Sequence, residues 1–293
     1  MDRGNPSVPI GTPLTDRTAM FRARRRIRRR AGAIRRRVEM RTDPTYRRMA
    51  EGFGLPDGSR RVYCYHVRKT AGTSLFLSFL ALGGEDPMAV WRRITASRLQ
   101  RTTSAAYSYA SNDRDVLAEG AYFFGRSHHR FVDQPLPPDT FTVTILRDPV
   151  ERVHSYYDYL VAGDDPGAPG WVNRRQRVLA HDGFDAFLDR LPADGLLTQL
   201  AMFSERFDVS EAADRIAGCS SVFFTEDFAS GLAGLGQRLD LPLVPYRARV
   251  TPARTELTDR QRERLQTHLE PEYALLHRLD ELGIARGGST ESA

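Results

Sequence analysis

The chain predicts an α/β fold built on a mainly parallel sheet with helices on both faces. Three observations carry that expectation. Short β-rich runs alternate with helical patterns, the runs end in turns of small or charged residues, and two helices open on capping signals. At 293 residues and 41% apolar content the chain can bury a sizeable core.

In chain order, residues 1–57 read as a basic arm. Residues 1–19 lack periodicity and are expected to be disordered. Over 20–38, Met20, Ile27, Ala31, Ile34 and Val38 set an apolar stripe on an Arg-rich helix. Such a helix suits an anionic membrane surface, an acidic polymer or, less well, nucleic acid, with a solvated arm or a helix docked on the acidic body as the plain alternative. The stretch EGFGLPDGSR, 51–60, reads as a linker. Residues 58–286 form the folded domain, and 287–293 a disordered tail.

Within the domain, Arg61–Val67 is a β-rich run, followed by a turn and an apolar helix over Ser74–Leu82. Ala121–Phe124 and Phe141–Leu146 are further strands. The second runs straight into Asp148-Pro149-Val150-Glu151, an N-cap, a proline at the first helical position and a glutamate three residues after the cap. In the helix that follows, Val150, Val153, Tyr157, Leu160 and Val161 form an apolar stripe. Ser221–Thr225 is another strand, with a helix to Leu239. Thr258 to Gln261 is a second capping box, and Pro271 and Gly283 bracket the last helix.

Charge is unevenly spread. Residues 1–50 hold 15 arginines against four acidic residues, a balance of +11, so the rest must sum to −5 within a net charge of +6. Of 43 basic residues only one is lysine, Lys69. Its survival in so arginine-biased a chain suggests a need for a compact ammonium. No apolar run approaches the roughly 18 residues of a membrane-spanning helix. The N-terminus lacks an apolar leader, and Cys64 and Cys219 make neither a disulfide framework nor a zinc pattern. These readings place the protein in the cytoplasm, with the arm as a peripheral contact to the inner membrane face.

Two segments carry chemistry. Tyr65 to Leu75 leaves a strand, turns through Arg68-Lys69-Thr70-Ala71-Gly72-Thr73-Ser74 and enters a helix, which makes an anion cradle of backbone N–H groups with an ammonium and hydroxyls beside it. Lysine precedes glycine here, so the turn is P-loop-like without being a Walker A loop. In Leu146 to Tyr157, Arg147 sits at a strand end, where ligands are met in such sheets. At about 100° per residue Ser155 falls opposite the apolar stripe of the next helix. Arg147 offers a bidentate fork to a phosphate and Ser155 a hydroxyl beside it. An exposed serine and a structural arginine paired to Asp148 or Glu151 is the competing reading.

Together these segments resemble the sulfotransferases that use 3′-phosphoadenosine 5′-phosphosulfate (PAPS), with the flavour of the hexuronyl 2-O-sulfotransferase branch. Val67 to Ser74 is similar to that family's 5′-phosphosulfate loop. Arg147 and Ser155, eight residues apart, are similar to its 3′-phosphate pair. Phe223 to Phe228 resembles its "TE" segment, and Thr251 and Arg254 fall where it has a loop closing over the nucleotide. The resemblance spans about residues 61–282. The chain departs from the family at Arg68, where proline is usual, which loosens the turn.

The resemblance implies the sulfotransferase fold and an in-line sulfuryl transfer with PAPS as donor, 3′-phosphoadenosine 5′-phosphate (PAP) as product and no metal. Lys69 would act on the phosphosulfate, with Arg68 and Thr70 to Ser74 around it. The base would come from Gly125-Arg126-Ser127-His128-His129-Arg130-Phe131, with His128 aligned to it and His129 as second candidate. His129, Arg126 and Arg130 are candidates to face the acceptor; with Arg174, Arg175 and Arg177 the arginines make either a site for an anionic sugar, lipid or acid or simply an exposed Arg-rich face. The family favours a hydroxyl of a carbohydrate, glycolipid or secondary metabolite. Residues 163–180 read as a loop insertion near the site. Two other readings stand beside this one: a Mg²⁺-dependent nucleotide kinase with a variant phosphate loop, and an anion-binding protein on an inactive scaffold of the same kind. The sequence names neither the acceptor nor the oligomeric state.

Overall fold

Strand β1, Arg61–Tyr65, is buried at every residue and lies between two parallel neighbours. Its run of β-branched, aromatic and cysteine side chains is what a strand covered on both faces requires. The computed structural model describes residues 53–162, 174–246 and 254–284, with Arg174 and Arg175 described by backbone alone. The arm helix expected over 20–38, the position of Thr251, most of the 163–180 insertion and the tail lie outside the described residues.

After β1 come α1 (Gly72–Leu80), α2 (Pro87–Ala96), β2 (Arg101–Ser104), β3 (Tyr107–Ser111), α3 (Arg114–Glu119) and β4 (Phe124–Ser127). The next stretch holds β5 (Thr140–Leu146), α4 (Pro149–Ala162), α5 (Arg174–Ala180), α6 (Phe184–Arg190), α7 (Ala193–Leu196) and α8 (Thr198–Phe203). Then follow α9 (Val209–Ala217), β6 (Ser221–Phe224), α10 (Phe228–Leu239), α11 (Asp259–His268) and α12 (Glu270–Glu281).

The strands run in the order β2-β3-β4-β1-β5-β6, parallel throughout except β2 against β3. The sheet is thus α/β and mostly parallel, as the sequence predicts. Because β4 and β5 flank β1 on opposite sides, the loops leaving the carboxyl ends of all three converge on one place. In open parallel sheets ligands sit there.

Side chains alternate across β1. Val62 and Cys64 join Val143 and Ile145 of β5 on one face, under Leu75, Phe76 and Phe79 of α1 and Leu232, Leu235 and Leu239 of α10. Tyr65 points the other way and meets Phe131 and Phe203 at 5.2 and 5.6 Å between ring centres. Each fully buried apolar side chain of this kind contributes roughly 1.5–3 kcal/mol. A second cluster packs Val153, Tyr157 and Leu160 of α4 against Phe184 and Phe187 of α6 and Leu265 of α11.

Several boundaries differ from the expectation: the helix expected over Ser74–Leu82 runs Gly72–Leu80, and β5 and β6 each shift by one residue at one end. β1 stops at Tyr65 because the turn begins at once. β4 starts at Phe124, since its register pairs Phe124 with Val62. Val161, assigned to the apolar stripe, is exposed one residue before α4 ends. Residues 53–57, assigned to the arm, belong to the packed body: Leu55 is buried, and Phe53 stands edge-on to Phe123 with ring centres 4.5 Å apart. The caps behave largely as read. Asp148 Oδ1 accepts from the Glu151 N–H at 3.0 Å, but the Asp148 N–H donates to Glu226 instead of closing the box on Glu151. The Thr258–Gln261 box is complete. Among the described residues no helix is long and apolar enough to cross a membrane.

Candidate active site

The turn after β1 is held in an uncommon backbone shape. Lys69 and Ala71 both have positive φ, 68° and 62°, without being glycine. Each such residue costs of order 1–3 kcal/mol and persists only where its surroundings impose it. Here Thr70 Oγ1 donates to the Val67 carbonyl at 3.0 Å, and Arg147 Nη1 donates to the Lys69 carbonyl at 3.2 Å. Thr70, expected to touch the nucleotide, is buried and ties the turn instead; it does not line the cleft. Ala71 is the N-cap of α1, so the N–H groups of the first helical turn have no carbonyl of their own helix to bond. Gly72 is required for contact: a Cβ there would clash with the His66 ring, 2.2 Å from its Cδ2. Gly72→Ala is expected to cost about 1–3 kcal/mol by overpacking, read as a lowered urea midpoint.

Arg147 leaves β5 into the same space. Its N–H donates to Gln199 Oε1 at 2.8 Å, and Gln199 Nε2 donates back to the Arg147 carbonyl at 3.0 Å. Gln199 is in turn fixed by Glu272, which accepts from its backbone N–H at 2.7 Å and its Nε2 at 3.1 Å. Glu272 also lies 3.5 Å from Arg152, and both side chains are buried. This clamp fixes the arginine's backbone and leaves its guanidinium to face the cleft. Loss of solvent lowers the Arg147 pKa, with Glu151 and Glu226 opposing. Ser155 lies on α4 and lines the same cleft, as the helical spacing predicts.

His128 follows β4 directly. Its Nδ1–H donates to the His66 carbonyl at 2.7 Å, and the His66 and His128 rings lie 4.3 Å apart. A carbonyl can only accept, so this bond puts the proton on Nδ1 and the lone pair on Nε2. The residue keeps an exposed edge at the cleft, while the His66 ring packs against its other side. Loss of hydration, then Arg126, then Arg68 pull its pKa down to about 3, against the partial support of the His66 carbonyl. His128 is therefore neutral at ordinary pH.

Arg126 is buried, with its guanidinium 4.1 Å from the Phe76 ring centre and 5.2 Å from that of Trp91. Its Nη1 donates to His66 Nδ1 at 2.7 Å, which requires His66 to be neutral and protonated on Nε2. The sequence offers Arg126 to an acceptor; the structure puts it within β4, beneath the Val67–Ser74 turn, because β4 begins three residues later than read.

These groups line one cleft of about 360 Å³: Arg68, Lys69, Ala71 to Ser74, Arg126, His128, Arg147 and Ser155 all reach it. Its described wall carries four cations and no carboxylate. Besides Thr70, the expected residues His129, Arg130 and Arg254 stand apart from this cleft. His129 turns away, its Nδ1 paired with Gln134 Oε1 at 2.9 Å and its N–H with Ser127 Oγ at 3.0 Å. Arg254 holds both Glu151 oxygens at 2.7 Å and bonds His154, reaching Arg147 only through the shared Glu151.

His66, read from the sequence as structural or as a wall of the site, lines the cleft, while Trp91, Tyr156, Tyr159, Gln176 and Thr225 escape the sequence reading. Tyr159 had a signal, since it lies four residues after Ser155 on the same helix face. Its ring carries the Lys69 ammonium at 4.2 Å. Trp91 and Gln176 are distant in sequence and carry none. Searches for relatives add no name to this geometry: no protein-family model matches the chain, and no curated protein matches it significantly.

Proposed function

We propose that the protein is a PAPS-dependent sulfotransferase. The observation that carries this reading is that the two separately identified motifs, together with His128, line a single cationic cleft. The donor set fits a doubly phosphorylated nucleotide. Lys69, Arg68, Arg126 and the first turn of α1 would hold the phosphosulfate, and Arg147 with Ser155 the 3′-phosphate. No carboxylate among the described lining residues offers itself to a Mg²⁺-bridged triphosphate, which weighs against the kinase reading.

Bound there, PAPS supplies an activated sulfuryl group: the acceptor oxygen–sulfur bond forms as the sulfur–oxygen bond to phosphate breaks, and its electron pair stays on the leaving phosphate. His128 Nε2 takes the acceptor's hydroxyl proton. The His66 carbonyl keeps the imidazole in the right tautomer and aims it. Lys69 and the arginines stabilise the growing negative charge on the leaving oxygen from fixed positions, which is where most of the rate gain of such a site arises.

Calorimetric titration with PAP tests the donor site. Wild type should bind without Mg²⁺, and Arg147→Ala should weaken binding roughly 10–150-fold, the loss expected for charge-assisted bonds worth about 1.5–3 kcal/mol. Equal binding of ATP that depends on Mg²⁺ would put the kinase reading ahead.

A further inference from the structure

Beside the donor cleft lies a second lobe of about 320 Å³. The two share Arg68, His128, Tyr156 and Gln176, so the candidate base stands in the wall between them. From there the character of the wall changes. Leu179, Leu191, Pro192, Ala201 and Met202 line the second lobe, carried by α5, α8 and the segment between α6 and α7.

The lobe also has cations, but the two it does not share are each matched. Arg130 pairs with Asp194 at 3.3 Å, and Arg152 with the buried Glu272 at 3.5 Å. Arg152 further donates to the carbonyls of Gly195 and Leu196. An anionic sugar chain needs uncompensated cations along an open groove. Among the described residues this lobe instead offers mainly apolar side chains, charges that are matched apart from the shared Arg68, and a volume near the lower end for small-molecule sites.

Resting on the sulfotransferase reading, we propose that the second lobe is the acceptor site and that its acceptor is a compact, largely apolar alcohol or phenol. The apolar body fills the space against Leu191, Ala201 and Met202. The hydroxyl is left at the shared wall, where its proton passes to His128 Nε2 as its oxygen bonds to sulfur and the bond from sulfur to the phosphate oxygen breaks. This narrows the acceptor classes implied by the resemblance and sets the anionic sugars aside.

The test supplies PAPS and measures PAP release with two probes: 1-naphthalenemethanol and an unsulfated hexuronate–glucosamine disaccharide. PAP binding is titrated separately. The expected result is turnover with the naphthyl alcohol and none with the disaccharide. Ala201→Phe, which fills the lobe, should raise the KM for the alcohol at least about tenfold, the scale of a steric change in an apolar pocket, with PAP affinity unchanged. Leu179→Asp, which puts a charge in a half-buried wall, should act the same way, and retained PAP binding reports that either variant is folded. Turnover of the disaccharide alone, or no effect of either folded variant on the alcohol, overturns the acceptor assignment while leaving the donor site intact. Absence of PAP binding in wild type fails the sulfotransferase reading and takes the acceptor assignment with it.

Discussion

Replacing His128 by alanine should lower turnover about 10²–10⁴-fold, the range for a lost general base, and leave PAP binding unchanged. The affinity readout separates loss of chemistry from loss of the site. A variant with near-normal turnover would remove His128 from the role. The pH dependence carries a further expectation. In the free protein the imidazole is held neutral by desolvation, Arg126 and Arg68, with its pKa down at about 3. Since kcat/KM follows groups in the free enzyme, it should show no acid limb from His128 over about pH 5–8. Bound phosphates offset the same arginines, which favours the imidazolium and raises the pKa. The limb in kcat should therefore lie at higher pH than the limb in kcat/KM. Stability follows the same linkage. The folded pKa lies below the ordinary value of 6.5, so between about 3 and 6.5 the unfolded chain binds more protons and stability falls as pH falls through that window.

Removing Glu272 should be the most damaging single change to stability outside the apolar core. Its carboxylate accepts from the N–H groups of Gln199 and Leu200 and from Gln199 Nε2, and it faces Arg152. Glu272→Ala leaves the Arg152 guanidinium buried without a counter-charge, a loss of about 3–5 kcal/mol in comparable pairs. Urea unfolding reads the loss directly. The same variant frees Gln199, which clamps the backbone of Arg147, so PAP affinity should fall even where the protein is still folded. The double variant Arg152→Met with Glu272→Leu should recover most of the stability, because it removes both charges at once, and recover none of the affinity. A loss under about 1 kcal/mol in Glu272→Ala would mean that the Gly195 and Leu196 carbonyls suffice for Arg152.

What could be read from the sequence follows how locally each feature is encoded. The strand–turn–helix joints at Val67–Ser74 and Leu146–Tyr157 are punctuated by small residues, a proline and a cap, and both lie where the spacing puts them. The β2–β3 pair went unread because RTTS and YSYAS are polar, short and without an apolar alternation. They are strands through pairing with β4 rather than through their own composition. The start of β4 was misplaced because Phe123 and Phe124 are equally apolar; only pairing to β1 sets the register. The contact that sets His128 apart from His129 is to a backbone carbonyl 62 residues away, and the Gln199–Glu272 clamp joins side chains 73 residues apart. Neither has a local pattern to read.

The division of labour between the two lobes has a consequence for how this protein can change. The donor lobe is built mainly from strand ends and the helices that directly follow them, while the apolar part of the second lobe is supplied by the helical stretch from α5 to α8. Substitutions at Leu179, Leu191 and Pro192 can alter shape and polarity on one side of His128 without touching Lys69, Arg147 or the turn that holds them, whereas Gln199 of α8 has to stay because it clamps Arg147. On the proposed function, the molecule is arranged as a fixed donor half and an exchangeable recipient half, and a new recipient can be explored, by drift or by design, while the costly strained turn stays as it is.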